Sequence, residues 1–133
     1  MSELVRIFNK GGEWDAFWDL LQQSFPNRER DESLLIDTEY YALKEEGKIV
    51  GTVIVDLESH EHVSLYNVSV DPIQRQRGYG REMLAQLADT LKDRFNYMCL
   101  YCEPKNLDFY RALDFELGML QPAVIHHMYK KLG

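Results

Sequence analysis

The stretch NVSVDPIQRQRGYGREMLAQLADTL (residues 67–91) decides the fold prediction. An apolar strand ends at Val70, Pro72 stops it, and a helix with leucines at helical spacing begins near Gly80. Amides in the first turn of a helix have no internal partner and carry a partial positive charge, which suits phosphate oxygens. Gly78 and Gly80 let the backbone come close to a ligand. The stretch therefore predicts an anion site between a strand and a helix.

Three arginines, Arg75, Arg77 and Arg81, concentrate positive charge at this point of an acidic chain, where a diphosphate would be neutralised. Two common nucleotide motifs do not fit. The dinucleotide pattern needs glycine at the position of Met83, and the Gly-Lys-Ser/Thr of a P-loop is absent. From these residues alone, a plain strand-to-helix connection with solvated arginines explains the pattern equally well.

A longer stretch, LYNVSVDPIQRQRGYGREML (residues 65–84), resembles the central motif of the GNAT superfamily, in which R/Q-x-x-G-x-G/A follows a strand. FYRALDF (residues 109–115) is similar to a later helix of that family, usually F-Y-x-x-x-G-F, and MYKKL (residues 128–132) to its final strand. The resemblance covers about the last half of the chain. Within the superfamily, the central stretch looks most like the ribosomal-protein alanine N-acetyltransferases.

The resemblance implies a role for each matched position. Val68, Ser69 and Val70 would offer backbone groups to the pantetheine arm of acetyl-CoA, and Tyr110 would lie near the thioester sulfur. Asn106 is a further candidate coenzyme contact, although the family asparagine normally lies further upstream of the tyrosine. The pyrophosphate would be held by the motif loop and the residue after it: Arg75, Gln76, Arg77, Gly78, Tyr79, Gly80 and Arg81.

Acyl transfer to an amine needs a base, because an alkyl amine with a pKa near about 10.4 is mostly protonated at neutral pH. Glu103 is our candidate base, acting through water, with an ordinary loop residue beside Pro104 as the alternative. Tyr110 is the candidate acid for the departing thiolate, with a core aromatic at helical spacing as its alternative. Asp114 replaces the usual glycine before Phe115, which affects a turn more than the chemistry.

The remaining pattern predicts an α/β (α+β) domain with a mixed parallel and antiparallel central sheet flanked by helices, the GNAT fold, over residues 1–133. We expect a strand at residues 4–8, a helix at 13–25, a short helix near Leu34 and Leu35, and a hairpin of strands 40–43 and 49–57. A second hairpin follows, then helices at 80–95 and 107–113 around the strand MCLYC, and two late strands split by Pro122, the last being VIHHMYKK.

Composition limits the function. A net charge of −7 and a pI near 5.0 argue against a nucleic-acid partner and only weakly favour cationic substrates. No apolar run is long enough for a membrane helix, which favours a cytoplasmic protein with no membrane partner. Cys99 and Cys102 would point to opposite faces of one strand, and His60 and His62 lie in a polar turn. We therefore predict no metal site.

The predicted function is transfer of the acetyl group of acetyl-CoA to a primary amine of a small molecule. Acetylation of a protein N-terminus or lysine is the first alternative, and the charged segment 26–38, on the family's substrate side, would distinguish the two. A non-catalytic module that binds coenzyme A is the second alternative. A homodimer formed through the late strands is expected from the resemblance alone.

Overall fold

The computed structural model describes residues 2–8, 11–72, 77–118 and 126–133. A short 3-10 turn precedes the last helix. The elements in chain order are β1 (Ser2–Ile7), α1 (Gly11–Ser24), β2 (Thr38–Glu45), β3 (Lys48–Asp56), β4 (His62–Val70), α2 (Tyr79–Leu91), β5 (Tyr97–Cys102), α3 (Leu107–Arg111), β6 (Glu116–Leu117) and β7 (His126–Lys131).

The strands form a seven-stranded sheet in the order β1-β2-β3-β4-β5-β7-β6. Strands β4 and β5, which flank α2 in the chain, are parallel neighbours. The other paired strands in the described part of the chain are antiparallel. The predicted mixed sheet with flanking helices is therefore confirmed.

Each face of the sheet has its own core. Helix α2 packs on one face through Met83, Leu84, Leu87 and Leu91, against alternate residues of β2 to β5 and β7. Helix α1 packs on the other face, where its buried side chains join those of β1, β2 and β3: Ile7, Trp14, Phe17, Trp18, Leu20, Leu21, Tyr40, Ala42, Ile49 and Ile54. Because the residues of a strand point alternately to the two faces, neighbours such as Tyr40 and Tyr41 belong to different cores.

Most predicted elements are present with shifted ends. The β2–β3 hairpin turns at Glu46 and Gly47, both with positive φ (51° and 81°), the geometry that a two-residue turn requires. Helix α2 ends at Leu91 rather than Phe95, because Lys92 to Arg94 form a turn. Pro122 and the first residues of the predicted last strand, Val124 and Ile125, lie outside the described residues.

The predicted helix near Leu34 and Leu35 is wrong, because this segment consists of bends and turns. Both leucines and Ile36 are exposed, Ile36 by 90%. Three adjacent apolar residues without partners three or four positions away give a helix no continuous apolar face to bury. The segment instead ends at Asp37, whose φ of 60° is left-handed and whose carbonyl accepts a hydrogen bond from the Leu57 amide at 2.8 Å.

A close approach at Gly51 fixes α2 against β3. A Cβ at this position would lie 3.0 Å from the sulfur of Met83 on α2 and 3.3 Å from the carbonyl oxygen of Ser69 on β4. Any larger residue would have to displace the helix or the strand. The missing side chain therefore lets the first turns of α2 lie close to the sheet.

A buried carboxylate ties the turn after α2 to the sheet. Glu39, on β2, accepts two hydrogen bonds from the Arg94 guanidinium, at 3.0 and 2.7 Å, and one from the Tyr41 hydroxyl at 2.6 Å. Arg6 lies 3.5 Å away. The Arg94 hydrogen bonds are the largest influence on the Glu39 carboxyl, and they hold its pKa below the ordinary value despite its burial. The sequence analysis missed this network.

We predict that Glu39→Gln lowers the free energy of unfolding by about 2 kcal/mol at pH 7, because Arg94 loses its charged partner while solvent screens part of the pair. The folded-state pKa is depressed, so the contribution is present above the ordinary pKa of 4.5 and lost as pH falls through the folded value. Urea unfolding between pH 7 and pH 3 should show the two proteins converging in acid.

The matched control is Asp89→Asn, which breaks the exposed Lys92–Asp89 pair on α2. Asp89 is 79% exposed, so this change should alter stability by less than about 0.5 kcal/mol. Equal effects of the two substitutions would contradict the role given to Glu39.

Candidate active site

Strands β4 and β5 pair at three positions only, from His62 opposite Tyr97 to Ser64 opposite Cys99. Both strands continue beyond this point, to Val70 and Cys102, without pairing with each other. The edge of β4 that faces β5 therefore has no strand partner after Ser64 within the described part of the chain. Such an edge offers backbone donors and acceptors to a ligand lying in the gap.

A β-bulge lies in β4 where the two strands separate. Asn67 has a φ of 54°, and two residues of β4, Asn67 and Val68, face the single residue Val53 of β3. The Thr52 hydroxyl donates to the Asn67 carbonyl at 3.2 Å and also contacts the Ser69 hydroxyl. A bulge bends its strand, which is consistent with β4 leaving β5 here. The only sequence signal was Asn67, since asparagine tolerates this conformation.

The gap is a cavity of about 940 Å³. Its wall includes main chain and side chains from β4, the start of α2, the end of β5 and α3. Nine of the thirteen predicted site residues line it together: Val68, Ser69, Val70, Gly78, Gly80, Arg81, Glu103, Asn106 and Tyr110. Arg77 is exposed and Tyr79 packs into the core, and neither side chain lines the cavity. Arg75 and Gln76 lie outside the described residues.

The amino-terminal end of α2 opens into this cavity. Gly78 caps the helix in a left-handed conformation (φ 75°, ψ 17°) without a side-chain hydrogen bond, and its carbonyl accepts the first helical bond from Glu82. The amides of the residues just before Glu82, at the start of the helix, have no acceptor within the helix. A Cβ on Gly80 would lie 3.2 Å from the Phe109 ring, so the missing side chain lets α3 approach. The predicted strand–glycine–helix arrangement is therefore present in the structure.

Tyr110 is a largely buried residue of α3 that lines the cavity. Burial is the main cause that raises the pKa of its hydroxyl to about 12, with a smaller contribution from Cys102. The hydroxyl is therefore protonated at neutral pH and can donate a hydrogen bond. The ring packs edge-on against Phe109 and Phe115, at 5.1 and 5.6 Å between centroids. Asp114, with a φ of 69°, forms the left-handed turn that follows.

Glu103 follows β5 and also lines the cavity, with its side chain 58% exposed. Its carboxylate lies 3.3 Å from the ammonium group of Lys105, which lines the cavity as well. The sequence analysis missed Lys105, although its place three residues after a strand that borders the gap is a usable signal. Among the described residues that line the cavity, Arg81 and Lys105 are those with a Lys or Arg side chain.

Within residues 2–8, 11–72, 77–118 and 126–133, no group of three or more His, Cys, Asp or Glu side chains is placed to hold a metal ion. Cys99 and Cys102 are free thiols on opposite faces of β5, as predicted. None of the described helices is both long and apolar enough to cross a membrane.

The unpaired edge of β4 leads to the positive end of the α2 dipole within one cavity, an arrangement that could accommodate a long ligand with negative charge at one end. Residues 13–115, more than half of the chain, match the family described as the acetyltransferase (GNAT) family. The chain therefore belongs to this family, and the resemblance found in the sequence is confirmed.

Individual acetyltransferases resemble this chain in sequence or in fold. The chain is 31% identical over 74 residues to an uncharacterized N-acetyltransferase in the lysA 3' region of Bacillus methanolicus, an alignment covering 56% of this chain and 58% of that protein. A GNAT family acetyltransferase from Elizabethkingia anophelis with acetyl-CoA bound has the same fold, at a TM-score of 0.81, 14% identity and 98% coverage of both chains. The ribosomal-protein-S18-alanine N-acetyltransferase from Escherichia coli matches at a TM-score of 0.77, with 18% identity and coverage of 100% of this chain and 95% of that one.

Proposed function

We propose that the protein transfers the acetyl group of acetyl-CoA to a primary amine of a small molecule by direct attack of the amine on the thioester. One observation carries this proposal: an unpaired length of β4 leads from the bulge at Asn67 to the open amino-terminal end of α2 within a single cavity. The site thus combines a strand edge for the pantetheine amides with a cradle for the diphosphate.

The described residues fit acetyl-CoA as the substrate that donates the acetyl group. Main-chain groups of Val68, Ser69 and Val70 would hydrogen-bond the pantetheine arm as an added strand would. The amides at the start of α2 would bind the diphosphate, with Arg81 and Lys105 supplying positive charge from the cavity wall. Arg75 and Gln76 belong to the same proposed loop, and Asn106, which lines the cavity, would be a further contact.

Two side chains are proposed for proton transfer. Tyr110 would donate a hydrogen bond or proton to the departing thiolate, because it lines the cavity and its hydroxyl is protonated at neutral pH. Glu103 would take a proton from the amine through water, since its exposed carboxylate borders the cavity. The thiol that leaves has an ordinary pKa near about 8.5, so assistance from Tyr110 should affect the rate more than the binding of the coenzyme.

The first test measures thiol release from acetyl-CoA in the presence of small alkyl amines, peptides with a free N-terminus and lysine peptides. Faster release with small amines supports the proposal. Release with peptides alone would identify a protein acetyltransferase instead. Binding of the coenzyme without release on any acceptor would favour a module that binds coenzyme A without catalysis.

We predict that Tyr110→Phe lowers kcat by about 10- to 100-fold and changes the Kd of acetyl-CoA by less than about twofold. The aromatic ring, and with it the packing, is retained, and only the donor is lost. Tyr97→Phe is the control, because it removes the hydroxyl of a tyrosine that is partly exposed and lies outside the cavity wall. Unchanged kcat in the Tyr110 variant would remove the acid role.

We further predict that Gly78→Val and Gly47→Val each destabilise the fold by about 1–2 kcal/mol, because both glycines have a left-handed φ, of 75° and 81°. Neither site has atoms within 4 Å of an added Cβ, so the conformational cost is comparable. Only the Gly78 variant should weaken acetyl-CoA binding, by about tenfold in calorimetry. Equal affinities of the two variants for acetyl-CoA would contradict the cradle.

A further inference from the structure

The face of the sheet that carries α1 is incompletely covered. Helix α1 packs over β1, β2 and β3 and also contacts β4, but Tyr66 on β4 and Tyr101 on β5 remain 41% and 54% exposed on the same face. Adjacent residues of a strand point to opposite faces, and the neighbours Leu65 and Leu100 point into the α2 core. Tyr66 and Tyr101 therefore lie on the face that carries α1. Both tyrosines border the active-site cavity. The cavity is therefore also open on the face that carries α1, where the two tyrosine rings line it.

Unpaired negative charge lies beside these rings. Asp56 faces Ser64 across the β3–β4 pair while Ile54 faces Tyr66, which makes Asp56 a diagonal neighbour of Tyr66 on the same face. Glu58 follows β3. Burial first, and then Glu58 and Asp56, raise the pKa of the Tyr66 hydroxyl.

Asp37 lies close to the same group. Burial raises the pKa of the Asp56 carboxyl, with further contributions from Glu58 and Asp37. None of these three carboxylates makes an ion pair with a Lys or Arg of the described ranges. Two nearby carboxylates without a cation thus add to the cost of ionising Asp56, and a bound cation would lower that cost.

The opposite face of the cavity has the reverse polarity. Arg81 and Lys105 border it on the side of α2 and α3, next to the positive end of the α2 dipole. On the side proposed for the coenzyme, the cavity thus carries Arg81 and Lys105, the latter paired with Glu103. On the other side it carries the two tyrosine rings, with Asp56 and Glu58 near Tyr66 but outside the cavity wall. Two substrates of opposite charge would each meet a favourable field from their own side.

We propose that Tyr66 and Tyr101 form the acceptor subsite and that it selects amines bearing a second cationic group, an ammonium or guanidinium several bonds from the reacting nitrogen. The inference rests on the proposed acetyl transfer and adds the class of acceptor. One nitrogen reaches the thioester as the free amine, while the second stays protonated over the tyrosine rings. The ring faces attract cations, and the field of Asp56 and Glu58 adds to that attraction.

His127 supports this geometry from the neighbouring strand. Its ring lies 5.1 Å from that of Tyr101, at an interplanar angle of 58°. His127 faces Tyr101 across the β5–β7 pair, so it restricts the aromatic ring on the side away from β4. The Tyr101 face toward the gap stays available for a ligand.

The experiment compares 1,5-diaminopentane with 5-aminopentan-1-ol, which replaces the second ammonium by a neutral polar group of similar size. Rates are expressed per mole of free-base amine, so that differences in acceptor pKa do not enter. We expect kcat/KM to favour the diamine by about tenfold at low salt, with the preference shrinking as salt screens the carboxylates. A peptide with a free N-terminus and a lysine side chain forms a second pair with its norleucine analogue. The N-terminus is the acceptor in both peptides, so the pair tells whether a second charge on a peptide is selected as well.

Substitutions assign the preference to residues. Tyr66→Leu and Asp56→Asn should each reduce the preference to about twofold or less, because the diamine rate falls more than the aminoalcohol rate. Tyr97→Leu is the matched control, because it removes an exposed tyrosine from the same face of β5 outside the cavity wall. Its preference should equal that of the unmodified protein.

A separate binding experiment tests this inference independently of the proposed reaction. A bis-quaternary pentane, which cannot be acetylated, should bind in calorimetry and lose about fivefold or more in affinity in Tyr66→Leu. Binding without transfer to any amine would overturn the reaction and retain the subsite. Transfer with equal rates for the diamine and the aminoalcohol, or a preference unchanged in Tyr66→Leu, would overturn the subsite and retain the reaction.

Discussion

Strands β4 and β5 lie side by side as a parallel pair for only three residues, and the rest of the site depends on their separation. Backbone groups removed from water need hydrogen-bond partners, so two strands that stop pairing leave a row of donors and acceptors for another molecule or for water. The bulge at Asn67 lets β4 remain paired with β3 while it leaves β5. A gap in the middle of a sheet is thereby formed without loss of the sheet on either side.

The start of α2 and the gap are held in register by contacts on both sides of the helix. Gly51 lets α2 lie close to β3, and the Glu39–Arg94 pair anchors the turn after its last residue to β2. The Leu4 amide on β1 donates a hydrogen bond to the partly buried Gln86 side chain in the middle of the helix. The amides proposed to hold the diphosphate are therefore carried by an element fixed at its start, middle and end.

Much of the fold could be predicted from local patterns. The apolar stripes of α1 and α2, the Gly47 hairpin and the crossover from β4 through α2 to β5 have a period or a turn residue that can be read from a single stretch. The segment 32–37 could not, because two adjacent leucines resemble the start of a helix until their exposure is known. Glu39 was also missed, since its partners Arg6 and Arg94 are far apart in the sequence and meet only in the folded chain.

The residues of the proposed site also fall into those that local sequence patterns indicate and those that they do not. The motif from Gly78 to Arg81 and Tyr110 could be recognised, because each lies in a short stretch with a characteristic spacing. Tyr66, Tyr101 and Asp56 could not, because they come from three strands and share a face only through the register of the sheet. The distribution of charge around the cavity likewise depends on the assembled sheet. It cannot be predicted from the net charge of −7.

The central claim is that the start of α2 and the free edge of β4 bind one coenzyme molecule together. The most direct measurement is a titration of the isotopically labelled protein with coenzyme A, followed by the backbone amide resonances. The account predicts the largest shifts at Gly78, Gly80 and Arg81 and along Val68–Val70, with Gly47 unchanged. Shifts confined to other parts of the chain, or none at saturating coenzyme, would contradict it.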